Sequence, residues 1–143
     1  MDWVVASVHY DTGMSEREMT ERLCTAISSG VVHALGHPLN RLIGKREAIR
    51  FDVDAVVAAC VEHGVCLEID AQPERLDLPD FHCKRAREAG ASLVIDTDAH
   101  KPSDLDFMPL GVSVARRGWL RRRDVVNTFT PERLARWIRG DRS

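Results

Sequence analysis

Apolar runs alternate with amphipathic segments along this chain, and the alternation predicts strands separated by helices. The apolar runs are continuous and cover residues 3–8, 31–35, 65–69 and 92–95. Because a continuous run predicts burial on both faces, the strands are expected to form a parallel sheet covered by helices. Right-handed crossovers then leave two architectures open, an open doubly wound sheet and a (β/α) barrel. The chain has no glycine-rich dinucleotide or P-loop motif that would favour the doubly wound sheet.

The first helix between these runs has the clearest local signals. Ser15 and Glu18 have the spacing of a capping box, which predicts a helix that starts at this point. Met19, Leu23 and Ile27 then recur at helical period and define the face that is expected to be buried.

Further helices are predicted after the second apolar run. Asp52 or Asp54 can cap a helix that ends at Gly64, and Pro79 suits the start of a helix that runs to Gly90. The apolar positions expected to face the core from the first of these helices are Val53, Val56, Val57, Cys60 and Val61. A helix or turn is expected around residues 103–108, followed by short helices near 120–126 and 131–139.

Composition limits the chain to one domain. Its 143 residues, 44% hydrophobic and 29% charged, suffice for one core but are few for two ordinary domains, so residues 1–143 are interpreted as a single domain. Four cysteines at no paired spacing are predicted to be reduced core thiols. The chain shows neither a long apolar span nor a signal-peptide pattern, which predicts a cytoplasmic protein without a membrane partner.

Charge is unevenly distributed behind the net value of −2. Residues 51–100 carry 4 basic and 11 acidic side chains, whereas residues 114–143 carry 9 basic and 3 acidic ones. The acidic part suits a cation and the basic part suits a phosphate backbone, but both patterns are also typical of solvated helix faces.

Histidines and carboxylates follow the predicted strands. His9, His37, Asp98 and His100 come directly after three of the apolar runs. Because the carboxyl ends of parallel strands meet at one edge, these four residues are predicted to be metal ligands. Mixed nitrogen and oxygen ligands suit zinc, manganese or iron better than calcium. Pro38 is expected to hold the preceding histidine in an extended conformation.

Other residues at these strand ends have two possible roles. Asp70 and Asp96 are predicted either to accept hydrogen bonds from the ligands or to cap loops. Glu68 is expected to point to the opposite face of the sheet from Asp70. A lone histidine at a strand end is more often only hydrogen-bonded or exposed, and His33, His63 and His82 are interpreted in this way.

A divalent cation at this edge could acidify a bound water and neutralise a phosphoryl oxygen, so the predicted chemistry is phosphoester hydrolysis. Arg41, Arg46 and Arg75 lie in the loops after the second and third strands and are candidates for phosphate binding. For each arginine, an exposed surface role is the alternative.

Two groups of motifs resemble a known family. Residues 4–9, 36–38, 41–42, 67–69, 75–78 and 97–100 resemble the polymerase and histidinol phosphatase (PHP) domain. Residues 105–108, 111–112, 115–120 and 124–128 resemble more narrowly the carboxyl-terminal part of the PHP domain in bacterial family X DNA polymerases.

The resemblance implies a distorted (β/α)7 barrel, of which about four parallel strands are present here, with a cluster of divalent metals, Mn²⁺ or Zn²⁺. In those polymerases the domain is a manganese-dependent 3′–5′ exonuclease and phosphoesterase that processes DNA 3′ ends in DNA repair. His9, His37, Asp98 and His100 match metal ligands of the family. Asp70 stands where the family usually has asparagine.

The resemblance also implies an incomplete amino terminus, because the strands that carry the family's His-x-His pair have no counterpart in this sequence. An incomplete ligand cluster is expected to weaken metal binding and activity. Three explanations follow: Met1 is an internal start in a longer parent chain, the chain associates with itself or a partner, or it is a degenerate remnant.

Two functions compete with a DNA-end-processing hydrolase. One is a small-molecule phosphatase of the histidinol-phosphatase kind. The other is a non-catalytic remnant whose carboxyl-terminal arginines contact DNA phosphates, namely Arg116, Arg117, Arg121, Arg122 and Arg123.

Overall fold

Four parallel strands form one sheet in the computed structural model, which describes residues 2–141. They lie in sequential order, and they are β1 (Val5–Ala6), β2 (Ala34–Leu35), β3 (Cys66–Asp70) and β4 (Leu93–Asp96). All three pairings are parallel. The predicted parallel α/β architecture is therefore confirmed, although β1 and β2 are shorter than the apolar runs that predicted them. Met1, which the sequence suggested as an internal start, lies outside the described residues.

Five α-helices connect and cover these strands within residues 2–141. They are α1 (Glu16–Ser28), α2 (Val53–His63), α3 (Asp80–Glu88), α4 (Met108–Arg117) and α5 (Pro131–Ile138). Three short 3₁₀ helices cover Pro102–Phe107, Arg122–Asp124 and Val126–Thr128. Among the described residues, no helix is both long enough and apolar enough to cross a membrane.

The predicted helix starts are confirmed by cap geometry. Ser15 and Glu18 form the reciprocal capping box of α1, and Asp52, rather than Asp54, caps α2 by accepting from two backbone N–H groups. Gly64 ends α2 in the left-handed conformation, with φ of 60°. Val61 was expected to face the core, and this expectation is wrong, because Val61 is 41% exposed where it lines an open cavity with Cys60 and Trp137.

Helix α4 was not predicted, because it contains Pro109 and Gly111, and both residue types have low helix propensity. Proline is accepted in the first turn of a helix, where its missing N–H costs no hydrogen bond. A Cβ atom on Gly111 would lie 2.6 Å from Ile95 Cγ2 and 3.0 Å from Ala71 Cβ. The glycine therefore lets α4 approach the carboxyl ends of β3 and β4 closely.

The predicted burial is confirmed for β2, β3 and nearly all of β4, but it is wrong for β1, where Val5 is 44% exposed. Leu67, Ile69, Leu93 and Ile95 pack in the larger core cluster, whereas Cys66 and Val94, at alternate positions of the same strands, pack in a smaller one. The smaller cluster is closed by Trp137 of α5. All four cysteines are free thiols, and the expected core position is confirmed for the three that are buried, whereas Cys24 is half-buried.

Candidate functional site

Two histidines meet at the carboxyl ends of adjacent strands. His9 follows β1 and His37 follows β2, and their ring centroids are 5.1 Å apart in an edge-to-face arrangement. Pro38 does not hold His37 extended as expected, because the φ angle of His37 is +25°. The pairing itself follows from parallel strand geometry, which brings successive strand ends to one edge.

Hydrogen bonds hold both histidines, and the backbone carbonyl oxygen of His37 accepts from the Asn40 backbone N–H at 2.8 Å. Ser7 Oγ lies 2.9 Å from His9 Nε2, and the backbone N–H of His37 donates to the Glu68 carboxyl group. The ring atom Nδ1 of His37 is buried and has no hydrogen-bond partner. Burial, reinforced by the nearby Arg75 guanidinium, lowers the pKa of His37 and favours its neutral form.

Three buried or partly buried carboxyl groups lie beside this pair. Asp70 Oδ1 accepts from the Gln72 backbone N–H at 2.7 Å, whereas Oδ2 is buried without a hydrogen-bond partner and lies 3.4 Å from Arg75 Nε. Burial raises the pKa of Asp70 to about 6. Burial also raises the pKa of Glu68 and that of Asp96, and these two carboxyl groups hydrogen-bond to each other. The pair therefore favours a shared proton.

The expected orientation of Glu68 is wrong. Its carboxyl group contacts the His37 backbone and Asp96, so it belongs to the same polar cluster as Asp70 and does not point to the opposite face. The reason is strand periodicity, because residues 68 and 70 are two apart and project to one side.

The loop after β4 presents Asp98 and His100. Asp98 has φ of +43°, and its backbone N–H lies 3.2 Å from Asp96 Oδ1. His100 is exposed, with Nδ1 lying 2.6 Å from the Asp98 carbonyl oxygen. Gln72 donates to the carbonyl groups of residues 97 and 98, and Asp104 accepts from the His100 backbone N–H. Neither supporting residue was predicted, since both act across loops.

Two arginines, Arg41 and Arg75, join the loop after β2 to the loop after β3, and Arg46 bonds within the loop after β2. Arg41 donates to the carbonyl oxygens of Arg75 and Leu76, at 2.8 and 2.6 Å. Arg46 and Arg75 both donate to the side-chain oxygen of Asn40, at 2.6 and 3.2 Å. Asn40 is buried with φ of +48°, and sequence reasoning did not identify it. These contacts give the predicted phosphate-binding arginines a structural role.

The donor chemistry of this cluster fits a divalent cation. Imidazole nitrogen and carboxylate oxygen are suitable ligands, and His37 Nδ1 and Asp70 Oδ2 are buried atoms whose bonding capacity is unused. Within residues 2–141, however, no three His, Cys, Asp or Glu side chains converge closely enough to form a metal-binding group. The arrangement thus has suitable donor atoms but not a converged ligand set.

Comparison with known proteins finds relatives of two kinds. The chain is 40% identical over 127 residues to the DNA polymerase/3′-5′ exonuclease PolX of Bacillus subtilis (strain 168), which covers 89% of this chain and 22% of that protein. It is 37% identical over 101 residues to a probable phosphatase of Shewanella sp. (strain ANA-3), covering 66% of this chain and 38% of the phosphatase. A probable phosphatase of Aliivibrio fischeri (strain ATCC 700601 / ES114) is 25% identical over 139 residues, covering 91% of this chain and 54% of that protein.

The chain is therefore homologous to a part of each relative, and it spans between 22% and 54% of their lengths. The resemblance to a family X polymerase is confirmed at this level. No family model matches the chain.

Proposed function

We propose that this chain belongs to a metal-dependent phosphoesterase related to the PHP-type 3′–5′ exonuclease of family X DNA polymerases. The observation that carries the proposal is the His9–His37 pair at adjacent strand ends, beside buried carboxyl groups with unused bonding capacity. Similarity to a protein named as a 3′-5′ exonuclease and to probable phosphatases supports the reaction class. The substrate class is then a phosphoester, and DNA 3′ ends are the first candidate.

The proposal extends to the fold. The strand order is sequential, without the reversal that creates the binding crevice of a doubly wound sheet. A sequential parallel order is what a (β/α) barrel requires, and functional groups of barrels gather at the carboxyl ends of strands. We therefore assign the sheet to part of a distorted (β/α)7 barrel.

In this proposal His9, His37, Asp98 and His100 hold the cation, either Mn²⁺ or Zn²⁺. When bound, the ion supplies an acidified water and neutralises charge on the phosphoryl group. The supporting hydrogen bonds position the ligands, because a histidine whose second nitrogen is bonded keeps one tautomer and one ring orientation. Ser7 does this for His9, and Asp96 holds the backbone at Asp98. Asp70 and Arg75 balance charge next to His37.

Phosphate contacts are proposed for Arg41, Arg46 and Arg75. A guanidinium group has five N–H donors, and the hydrogen bonds described above use at most two from each arginine. The remaining donors can bind phosphate oxygens while the same side chains keep their loop contacts.

Metal binding and hydrolysis test the proposal separately. Manganese binding is measured by calorimetry, and cleavage is measured on an oligonucleotide labelled near its 3′ end, with and without chelator. His37→Ala and Asp98→Ala are expected to lose both binding and cleavage. His63→Ala, at an exposed position on α2, is the matched control and should retain both. Cleavage that survives in both site variants would refute the assignment of the site.

A small-molecule phosphatase is the second candidate, and the relatives named as probable phosphatases favour it. Hydrolysis of p-nitrophenyl phosphate in the same metal-loaded preparation separates the two. Manganese-dependent turnover of this substrate, with no release of nucleotide from DNA, would support the phosphatase and exclude the exonuclease.

A further inference from the structure

The end of α4 and the segment after it carry an exposed tryptophan among arginines. Trp119 is 69% exposed. The arginine surface is defined here by Trp119 together with the exposed Arg116, Arg117, Arg121, Arg122 and Arg123. It is separate from the residues of the candidate metal site.

The backbone holds Trp119 outward at a conformational cost. Trp119 has φ of +61°, and its N–H donates to the Arg116 carbonyl oxygen at 3.1 Å, so it takes the left-handed position that follows a helix. Glycine or asparagine usually occupies this position, because a Cβ atom is strained there. The neighbouring Gly118 has an ordinary φ of −75°, and a Cβ on it would lie 2.7 Å from Cys83 Cβ. Close packing explains Gly118, but it does not explain the exposed indole.

The arginine surface is also strongly positive. Arg117 pairs with Asp80 at 2.7 Å, and Arg123 lies 3.8 Å from Asp124. Within residues 2–141, Arg116, Arg121 and Arg122 form no salt bridge. Asp124 also lies 3.5 Å from Arg87 Nε, so one of these two carboxylates is shared. The five arginines that flank Trp119 in the sequence therefore carry a net positive charge.

The arginine surface reaches two parts of the fold. At one end, Arg117 lines a cavity of about 290 Å³ together with Arg41 and Leu76, which lie in the loops beside the candidate metal site. The other end lies away from that site. Arg123 lines a cavity of about 330 Å³ together with Val65 and Ser92, the residues that precede β3 and β4. The cavity therefore lies near the amino ends of these strands, whereas His9 and His37 lie at the carboxyl ends.

We infer that the arginine surface binds single-stranded nucleic acid, with Trp119 stacking on a base and the arginines contacting phosphates. A positively charged surface beside an aromatic ring is the usual way to bind a single strand without sequence preference. A duplex hides its base faces, and an acidic protein has no base, so neither offers a base on which the indole can stack. This inference does not depend on the proposed hydrolysis.

Binding is tested in chelator, which removes any contribution from a metal site. A deoxythymidine oligonucleotide of about eight residues is titrated into the chain while tryptophan fluorescence is recorded. Stacking is expected to quench Trp119, since Trp3 is half-buried and Trp137 is buried. The logarithm of the binding constant should fall with the logarithm of salt concentration with a slope of about −3.5, as five phosphate contacts predict.

Trp119→Gly is the decisive variant, because glycine favours the left-handed conformation and the fold should be at least as stable as before. Its affinity for the oligonucleotide is expected to fall about tenfold or more, whereas Trp119→Phe should retain part of the affinity. Phe81→Ala, at another exposed aromatic residue, is the matched control and should bind like the unchanged chain.

Inorganic polyphosphate, which has charge but no bases, distinguishes stacking from simple electrostatics. Trp119→Gly should leave polyphosphate affinity unchanged. Equal losses for polyphosphate and oligonucleotide, or no loss for either, would overturn the role of Trp119. Absence of binding to the oligonucleotide at low salt would overturn the inference as a whole.

Discussion

Asp77 should make the stability of this chain fall as pH rises through the weakly acidic range. Its side chain is fully buried, with Oδ1 accepting from the Leu39 backbone N–H at 3.1 Å and Oδ2 without a partner. Burial raises the pKa of Asp77 from 3.8 to about 6, although the guanidinium groups of Arg41 and Arg75 act in the opposite direction. The folded chain therefore binds this proton more tightly than the unfolded chain does.

The magnitude follows from linkage between protonation and folding. Below about pH 4 the carboxyl group is protonated in both states, and between about pH 4 and pH 6 only the folded state keeps its proton. The free energy of unfolding thus decreases across this window by about 3 kcal/mol, at 1.36 kcal/mol for each pKa unit. Above about pH 6 the loss is complete and the contribution becomes constant.

Asp77→Asn removes this titration while keeping a similar shape. The amide oxygen can still accept from Leu39, and any cost of burying the new NH₂ group is independent of pH. Urea unfolding of both chains between about pH 4 and pH 7.5 should show the variant gaining about 3 kcal/mol relative to the unchanged chain. Other buried carboxyl groups affect both chains equally. If the free energies of unfolding of the two chains changed in parallel across this pH window, the pKa assigned to Asp77 would be refuted.

Three further substitutions test packing and hydrogen bonding by the same unfolding assay. Gly111→Ala should destabilise the chain by about 1–2 kcal/mol, because overpacking against Ile95 outweighs the gain in helix propensity, while Gly13→Ala, with nothing within 4 Å, should change little. Trp137→Ala should cost about 3–5 kcal/mol, since the smaller core cluster loses its largest side chain, and a cost below about 1 kcal/mol would contradict this packing. Asn127→Ala should cost about 1–3 kcal/mol, because the Asn127 amide hydrogen-bonds both the N–H and the C=O of Ile95 at the edge of β4, and an unchanged unfolding midpoint would contradict that role.

Features of the fold that depend on near neighbours could be predicted from the sequence. The capping box of α1 needs only residues three apart, and the ends of β3 and β4 follow from local apolar runs. Helix α4 could not be predicted in this way, since Gly111 belongs to a helix only because Ile95 and Ala71 press against it from distant parts of the chain. Local helix propensity opposed the structure that long-range packing favoured.

In the candidate site, the residues placed by strand ends could be predicted from the sequence, whereas the contacts between loops could not. Strand ends gave the positions of His9 and His37, because a parallel sheet brings those ends together whatever the loops do. The partners that hold the loops, such as Asn40 and Gln72, could not be found, since Gln72 acts across 25 residues and Asn40 joins Arg46 to an arginine 35 residues away. Whether an arginine binds a carbonyl oxygen or a phosphate is decided by such contacts and not by its place in the sequence.

The free-energy cost of burying carboxyl groups is concentrated around the candidate site, which supports a role for these groups beyond folding. Glu68, Asp70 and Asp77 are buried carboxyl groups whose pKa values are raised by burial, so each makes the folded state less favourable at neutral pH than an uncharged residue of the same size would. They lie near the carboxyl ends of the strands together with Asp96, the last residue of β4, while the other positions of β3 and β4 are apolar. A chain optimised only for stability would place apolar side chains there. A cation held by the neighbouring His9, His37, Asp98 and His100 would reduce this penalty, because a nearby positive charge favours the ionised form of a carboxyl group. Manganese should therefore raise the unfolding temperature of the unchanged chain more at neutral than at acidic pH, and His37→Ala should lose that response.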